Sequence, residues 1–306
     1  TGVQTCALPI CAILKAMEAG ERVRLTKEEV EAYLRRHGRD ATSLIVASRL
    51  TGDLALLREA IQSSPEDAWG RLELALRSED PAEKKAAIEA FRGLQPENPL
   101  GNYLGAQTAF AAGDYTKAAQ DLLQSMDQGT LQHHGLALLD ATAAAYVEAG
   151  YEPTGALVAA LGQAVEVNLA QSRLSLGLSK ELRGLQDEFV KSADFDAVEP
   201  TLLVGLDLGR RLQDPKAMLI EQLTGMTVES EFLRQLDPVT LVAGGASAGE
   251  RLLEIEERTG ELRTLSQAMV DFSKQAKDED FARYFEIFRR EGELAAVRWA
   301  KEQVGK

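Results

Sequence analysis

The punctuation of this chain constrains its fold more than any other feature. Two helix-ending loops, Ser64-Pro65-Glu66-Asp67 and Gln95-Pro96-Glu97-Asn98, lie 31 residues apart. Two turn dipeptides, Gly52-Asp53 and Gly113-Asp114, lie 61 residues apart, close to twice that distance. Proline removes a backbone donor and crowds the preceding turn, and glycine reaches the left-handed conformation that closes a helix. The marks therefore divide the chain into short helical pieces at a recurring interval. A helix–turn–helix unit of this length cannot bury its apolar face alone. It has to stack on its neighbours, which predicts an α-solenoid.

The residues between the marks carry helical spacing. Thr26-Lys27-Glu28-Glu29 is a capping box that opens a helix with Val30, Tyr33 and Leu34 on one face, ending at Gly38. Short helices are predicted over 41–50, 53–62 and 66–76, the last with Trp69, Leu72 and Leu76 on one side. Asp80-Pro81-Ala82-Glu83 starts another, with Asp as cap and Pro in the first turn, followed by Ile88, Phe91 and Leu94. Helices 100–112 and 115–126 form a hairpin around Gly113-Asp114, and a longer helix over 131–149 closes at Gly150. Beyond Pro153 the pieces lengthen: 156–191 reads as one helix or two with a break near 175–177, then 201–212 and 216–236. A terminal pair covers 250–277 and 279–304. Its stripes are Ile255, Leu262, Leu265, Met269 and Phe272, then Phe281, Tyr284, Phe285, Phe288, Ala295 and Trp299. Period-two alternation is almost absent.

The fold expected is thus all-α: a 26–150 block of helical repeats, longer hairpins over 151–236, a Gly/Ala-rich loop at 237–249 and a helical hairpin over 250–306, after a linker at 11–25. Composition agrees. At 45% hydrophobic the chain is too apolar for disorder, and at 6% aromatic it points to Ala- and Leu-rich helices in close contact.

One unit is explicit. The segment from Leu100 to Ala119, with small residues Ala106 and Ala118 and the corner Gly113-Asp114-Tyr115, resembles a tetratricopeptide repeat. The preceding unit keeps Ala87, Phe91 and Pro99 at suitable offsets, while the large aromatic expected early in the first helix is displaced to Tyr103. The resemblance covers 26–150 and implies hairpins that bind protein partners. The stretch 29–44, Asn102-Tyr103-Leu104-Gly105-Ala106 and Ala295-Ala296-Val297-Arg298-Trp299 are also similar to uncharacterised bacterial helical-repeat proteins. That likeness implies a cell-envelope or periplasmic location through an N-terminal anchor or signal, the alternative being cytoplasmic. It implies no catalytic residue. Residues 1–10 resemble a translated sequencing-adapter read-through, an artefactual segment. On that expectation Cys6 is foreign, Cys11 is the sole natural cysteine, and the natural N-terminus is missing.

Charge and motif chemistry exclude more than they identify. Lys and Arg number 34 against 48 Asp and Glu, a net charge of −14. Nucleic-acid binding needs a basic patch, and the pairs Arg35-Arg36, Arg210-Arg211 and Arg289-Arg290 sit among acids. No apolar run is long enough to span a bilayer. Gly245-Ala246-Ser247-Ala248-Gly249 satisfies the nucleophile-elbow pattern, but His37, His133 and His134 all precede it, against the order Ser, acid, His. It reads as a linker. The same loop lacks the Gly-Lys-Ser/Thr ending of a phosphate loop. His133 and His134 are adjacent and diverge on a helix, and Asp194/Asp196 and Asp278/Asp280 do not continue as calcium loops. No catalytic, cofactor-binding or metal-ligating residue is assigned, and no cofactor is expected.

The expectation is therefore a non-enzymatic scaffold for a protein partner, peptide or helix. The alternative is a structural envelope protein that self-associates, as a homodimer, through its C-terminal helices. A distant third is an enzyme whose site the sequence hides. A scaffold predicts a groove on 26–150. A structural role predicts an exposed apolar stripe on 154–193 or 250–300.

Overall fold

A computed structural model of the protein describes residues 23–132 and 137–304. The segment 1–10, Cys6, Cys11, His133 and His134 lie outside the described residues. The described residues form fourteen α-helices. In chain order they are α1 (Lys27–His37), α2 (Ala41–Thr51), α3 (Leu54–Ser63), α4 (Ala68–Arg77), α5 (Pro81–Leu94), α6 (Leu100–Ala111) and α7 (Tyr115–Met126). Then follow α8 (Leu139–Glu148), α9 (Pro153–Lys191), α10 (Phe195–Arg211), α11 (Leu219–Leu233), α12 (Ala248–Gln275), α13 (Asp278–Glu291) and α14 (Glu293–Gln303). The only strand-like feature among them is one isolated antiparallel bridge, Leu241 to Ser247. The protein is all-α, and its helices pair sequentially into hairpins: α2 with α3, α4 with α5, α6 with α7, and α10 with α11.

The chain divides into two compact units. The described residues of the first are 23–96, 132, 137–168 and 276–282; those of the second are 97–131, 169–275 and 283–304. In the first unit α2/α3 and α4/α5 are successive hairpins, and α1 and α2 also pack on α8. Each helix of these hairpins starts on an aspartate. Asp40, Asp53, Asp67 and Asp80 accept backbone N–H bonds from Ser43, Ala55, Trp69 and Ala82, so a donor orphaned by the first turn is satisfied each time. The interval is less regular than the loops imply. The hairpins begin at Ala41, Ala68 and Leu100, so one step is 27 residues and the next 32. The difference arises mainly because α5 has 14 residues and α3 has 10.

In the second unit the α6/α7 corner closes as the sequence predicts. Gly113 has φ +74°, and Asp114 N–H and Gly113 N–H bond back to the carbonyls of Ala109 and Phe110. Ala106 and Ala118 are fully buried at the contact. The corner recurs unannounced. Ala193 has φ +57°, and Asp194 and Ala193 bond back to Phe189 and Val190 in the same pattern. Ala193-Asp194-Phe195 thus repeats Gly113-Asp114-Tyr115 with alanine in the left-handed position.

Three expected readings change, and of the two readings of 156–191 the single helix is the one found. α10 begins at Phe195 and carries Pro200 inside it, because the Ala193 corner rather than the proline sets the start. α9 is continuous through 175–177. Leu131 and Gln132 are not helical. There the backbone is satisfied otherwise: Gly129 N–H bonds to the Glu97 carbonyl, and Arg211 donates to the carbonyls of Met126, Gln128 and Gly129. The terminal pair is three helices, because Gly292, at φ +91°, breaks the second; α12 packs on α14.

Candidate functional site

An open groove of about 980 Å³ lies in the second unit. One wall is α7, with Tyr115, Thr116, Ala119, Gln120 and Leu123. The opposite side comes from α9, with Glu181, Leu182, Gly184, Leu185, Glu188 and Phe189, and from α10, with Ala197, Pro200, Thr201 and Val204. On each helix the contributors recur every three or four residues, so each presents one stripe. The surface is mostly apolar. Tyr115 is 55% exposed and Leu123 47%, well above what a packed helical stripe leaves open. Their exposure follows from placement: α7 buries Ala118 and Leu122 against α6 and turns the next stripe outward. Among the described residues the charged ones lining it are Glu181 and Glu188, and Lys191 reaches Glu188 at 2.7 Å.

This location differs from the expected one. Of the groove's walls only α7 lies within 26–150, and α9 and α10 lie beyond it. The signals that could have found it were the second Asp-aromatic corner at Asp194-Phe195 and the outward Tyr115, Ala119, Leu123 stripe.

The buried ionisable groups of this unit act as ties. Glu229, on α11, is fully buried and receives Arg251 through both carboxylate oxygens, at 3.0 and 2.9 Å, with Arg210 at 3.0 Å and Gln213 at 2.7 Å. Burial alone would raise its pKa; the bonds from Arg251, Gln213 and Arg210 outweigh that and hold it below the usual value. Glu293 accepts the Leu219 N–H at 2.6 Å at the start of α11. Desolvation pushes its pKa up to about 7, against that hydrogen bond and with nearby Glu221 adding to the rise. Both carboxylates fasten helices together.

Several of the residues singled out by motif find structural partners. The Ser247 hydroxyl accepts the Glu250 N–H while the Glu250 carboxylate accepts the Ser247 N–H, a capping pair at the start of α12. Arg36 pairs with Glu148, Arg210 with Glu229, Arg211 with Asp207 and Arg290 with Glu291. The His37 ring lies tilted against Tyr33, with centroids 4.8 Å apart. Asp280 accepts the Lys277 N–H at the start of α13, whereas Asp194 makes no side-chain cap bond. Among the C-terminal aromatics, Tyr284, Phe285 and Phe288 are buried and in ring contact, and Phe272 meets Trp299 edge-on. Among the described residues, no cluster of three His, Cys, Asp or Glu could hold a metal ion. No described helix is long and apolar enough to cross a membrane.

Fold and groove together define an all-helical protein of paired helical hairpins. No family model, no curated protein and no solved structure matches the chain.

Proposed function

We propose that this protein is a non-enzymatic, tetratricopeptide-like scaffold that binds a protein segment in the groove between α7, α9 and α10. The observation that carries the reading is the apolar groove itself, with Tyr115 and Leu123 half exposed on its rim. An aromatic and an aliphatic left open beside a concave apolar surface are what an interface uses as anchors. The tetratricopeptide likeness is supported by the two matching corners, Gly113-Asp114-Tyr115 and Ala193-Asp194-Phe195, that begin the groove helices α7 and α10.

A displayed peptide library panned on the whole chain tests this. Enriched peptides should lose binding to Leu123→Glu and Tyr115→Ser variants that melt like the parent. Peptides that bind these variants undiminished would place the binding face elsewhere.

A second reading, self-association near the C-terminal helices, has its own observation. Val239, Leu241 and Leu253 are exposed at 77, 73 and 68% around the start of α12. Light scattering of the parent and of Leu253→Asp distinguishes it: a dimer that the substitution splits supports it, and a monomer at all concentrations sinks it.

A further inference from the structure

We infer that the occupant of the groove is a basic amphipathic helix from a partner protein, seated by apolar anchors and oriented by Glu181 and Glu188. The inference rests on the reading of the groove as a binding face and adds the chemistry of what binds. The α7 stripe from Tyr115 to Leu123 spans nine residues, a length of about 12 Å at a rise of 1.5 Å per residue. The α9 stripe from Glu181 to Phe189 has the same span, and the α10 stripe from Ala197 to Val204 is one residue shorter. A guest with apolar side chains at i, i+4 and i+7 covers that length in two turns.

Charge selects among such guests. Glu181 and Glu188 are seven residues apart on α9, two turns along one face. Among the described residues no lysine or arginine lines the groove. Three neighbouring cations are engaged: Lys191 with Glu188, Lys117 with Asp121, and Arg183 at 3.5 Å from Glu231. Lys191 and Glu188 are both largely exposed, and such a pair is weak enough for a guest cation to replace Lys191. A Lys or Arg on each flank of the guest would then face a carboxylate. A second copy of this chain fits poorly, because it brings the same carboxylates and another −14 of net charge.

The test uses three fluorescein-labelled synthetic peptides of about 14 residues. The first carries Leu at i, i+4 and i+7 with flanking Lys, the second replaces Lys by Glu, and the third replaces Leu by Ser. Anisotropy is read on the full chain at about 50 and 500 mM salt. The Lys–Leu peptide should bind at least about tenfold tighter than the Glu–Leu peptide at low salt. The Glu181→Gln/Glu188→Gln double variant should erase that difference, and Leu123→Glu should abolish binding. Equal affinity for the Lys and Glu versions, both lost in Leu123→Glu, would overturn the basic guest and leave the groove as a binding face. Binding of the Lys–Ser peptide as tight as that of the Lys–Leu peptide would overturn the anchored helix. Binding by none of the three, or binding indifferent to Leu123→Glu, would overturn the groove reading as well.

Discussion

Gly113, at the α6/α7 corner, and the glycines inside α10 and α11 answer opposite needs. Gly113 sits at the α6/α7 corner, and at φ +74° it has open space where a side chain would go. The helices themselves meet through Ala106 and Ala118. In α10/α11 the glycines sit inside the helices. A β-carbon on Gly209 would stand 2.5 Å from the Glu229 nitrogen, one on Gly225 2.5 Å from the Gly209 carbonyl oxygen, and one on Gly205 2.4 Å from the Phe232 ring. The first arrangement needs a backbone conformation; the second needs an absence of atoms. Glycine costs helix stability of about 1 kcal/mol per residue, so three of them inside α10 and α11 are retained by packing rather than propensity.

Substitution separates the two arrangements. The largest effect is expected for Gly209→Val, which drives a branched side chain into the backbone of α11. A loss of about 3 kcal/mol or more, read as a fall in the urea midpoint, is the outcome expected. Next comes Glu229→Ala, which leaves Arg251 and Arg210 without their buried partner at the same crossing, at a cost of about 3 kcal/mol. Gly113→Val should cost only about 1 kcal/mol, because φ and not space is at stake. Equal losses for Gly209→Val and Gly113→Val would erase the distinction. The smallest effect has the opposite sign. Ala193→Gly relieves the left-handed alanine at φ +57° and should stabilise the chain by roughly 0.5–1 kcal/mol.

Acidity distinguishes the two carboxylates that fasten α11. Glu293 has a folded pKa raised to about 7 from its ordinary 4.5. Its contribution is therefore complete below about pH 4.5 and is lost as pH rises through 7. Because Glu293 is partly exposed, the loss is on the order of 1–2 kcal/mol, and Glu293→Gln should flatten it in melts taken between pH 5 and 8. Glu229 is held low instead, so its contribution is present at neutral pH and is lost as pH falls below 4.5 through its folded pKa. A Glu293→Gln profile with the parent's slope would remove Glu293 as the cause.

The helices announced by local chemistry were legible from residues alone. Thr26, Asp53, Asp80 and Gly113 each act within four residues of themselves, and each lies where the pattern places it. What was hidden depends on distant partners. The helix expected over 201–212 starts at Phe195 instead, on the Ala193 corner, and alanine in a left-handed turn gives no signal of its own. Gly205 and Gly209 carry no packing signal until Phe232 and Glu229 are seen against them, nor does Gly225 until the Gly209 carbonyl is. The groove was hidden for the same reason. Its walls come from segments about 60 to 90 residues apart, and nothing in the sequence of α7 says that Leu123 faces α9 and α10.

Hydrogen exchange of the full chain with and without the Lys–Leu peptide tests the interaction groove most directly. Slowed exchange confined to 115–123, 181–189 and 197–204, and absent in Leu123→Glu, is the result the groove predicts. Protection elsewhere, with these three segments unchanged, would contradict it.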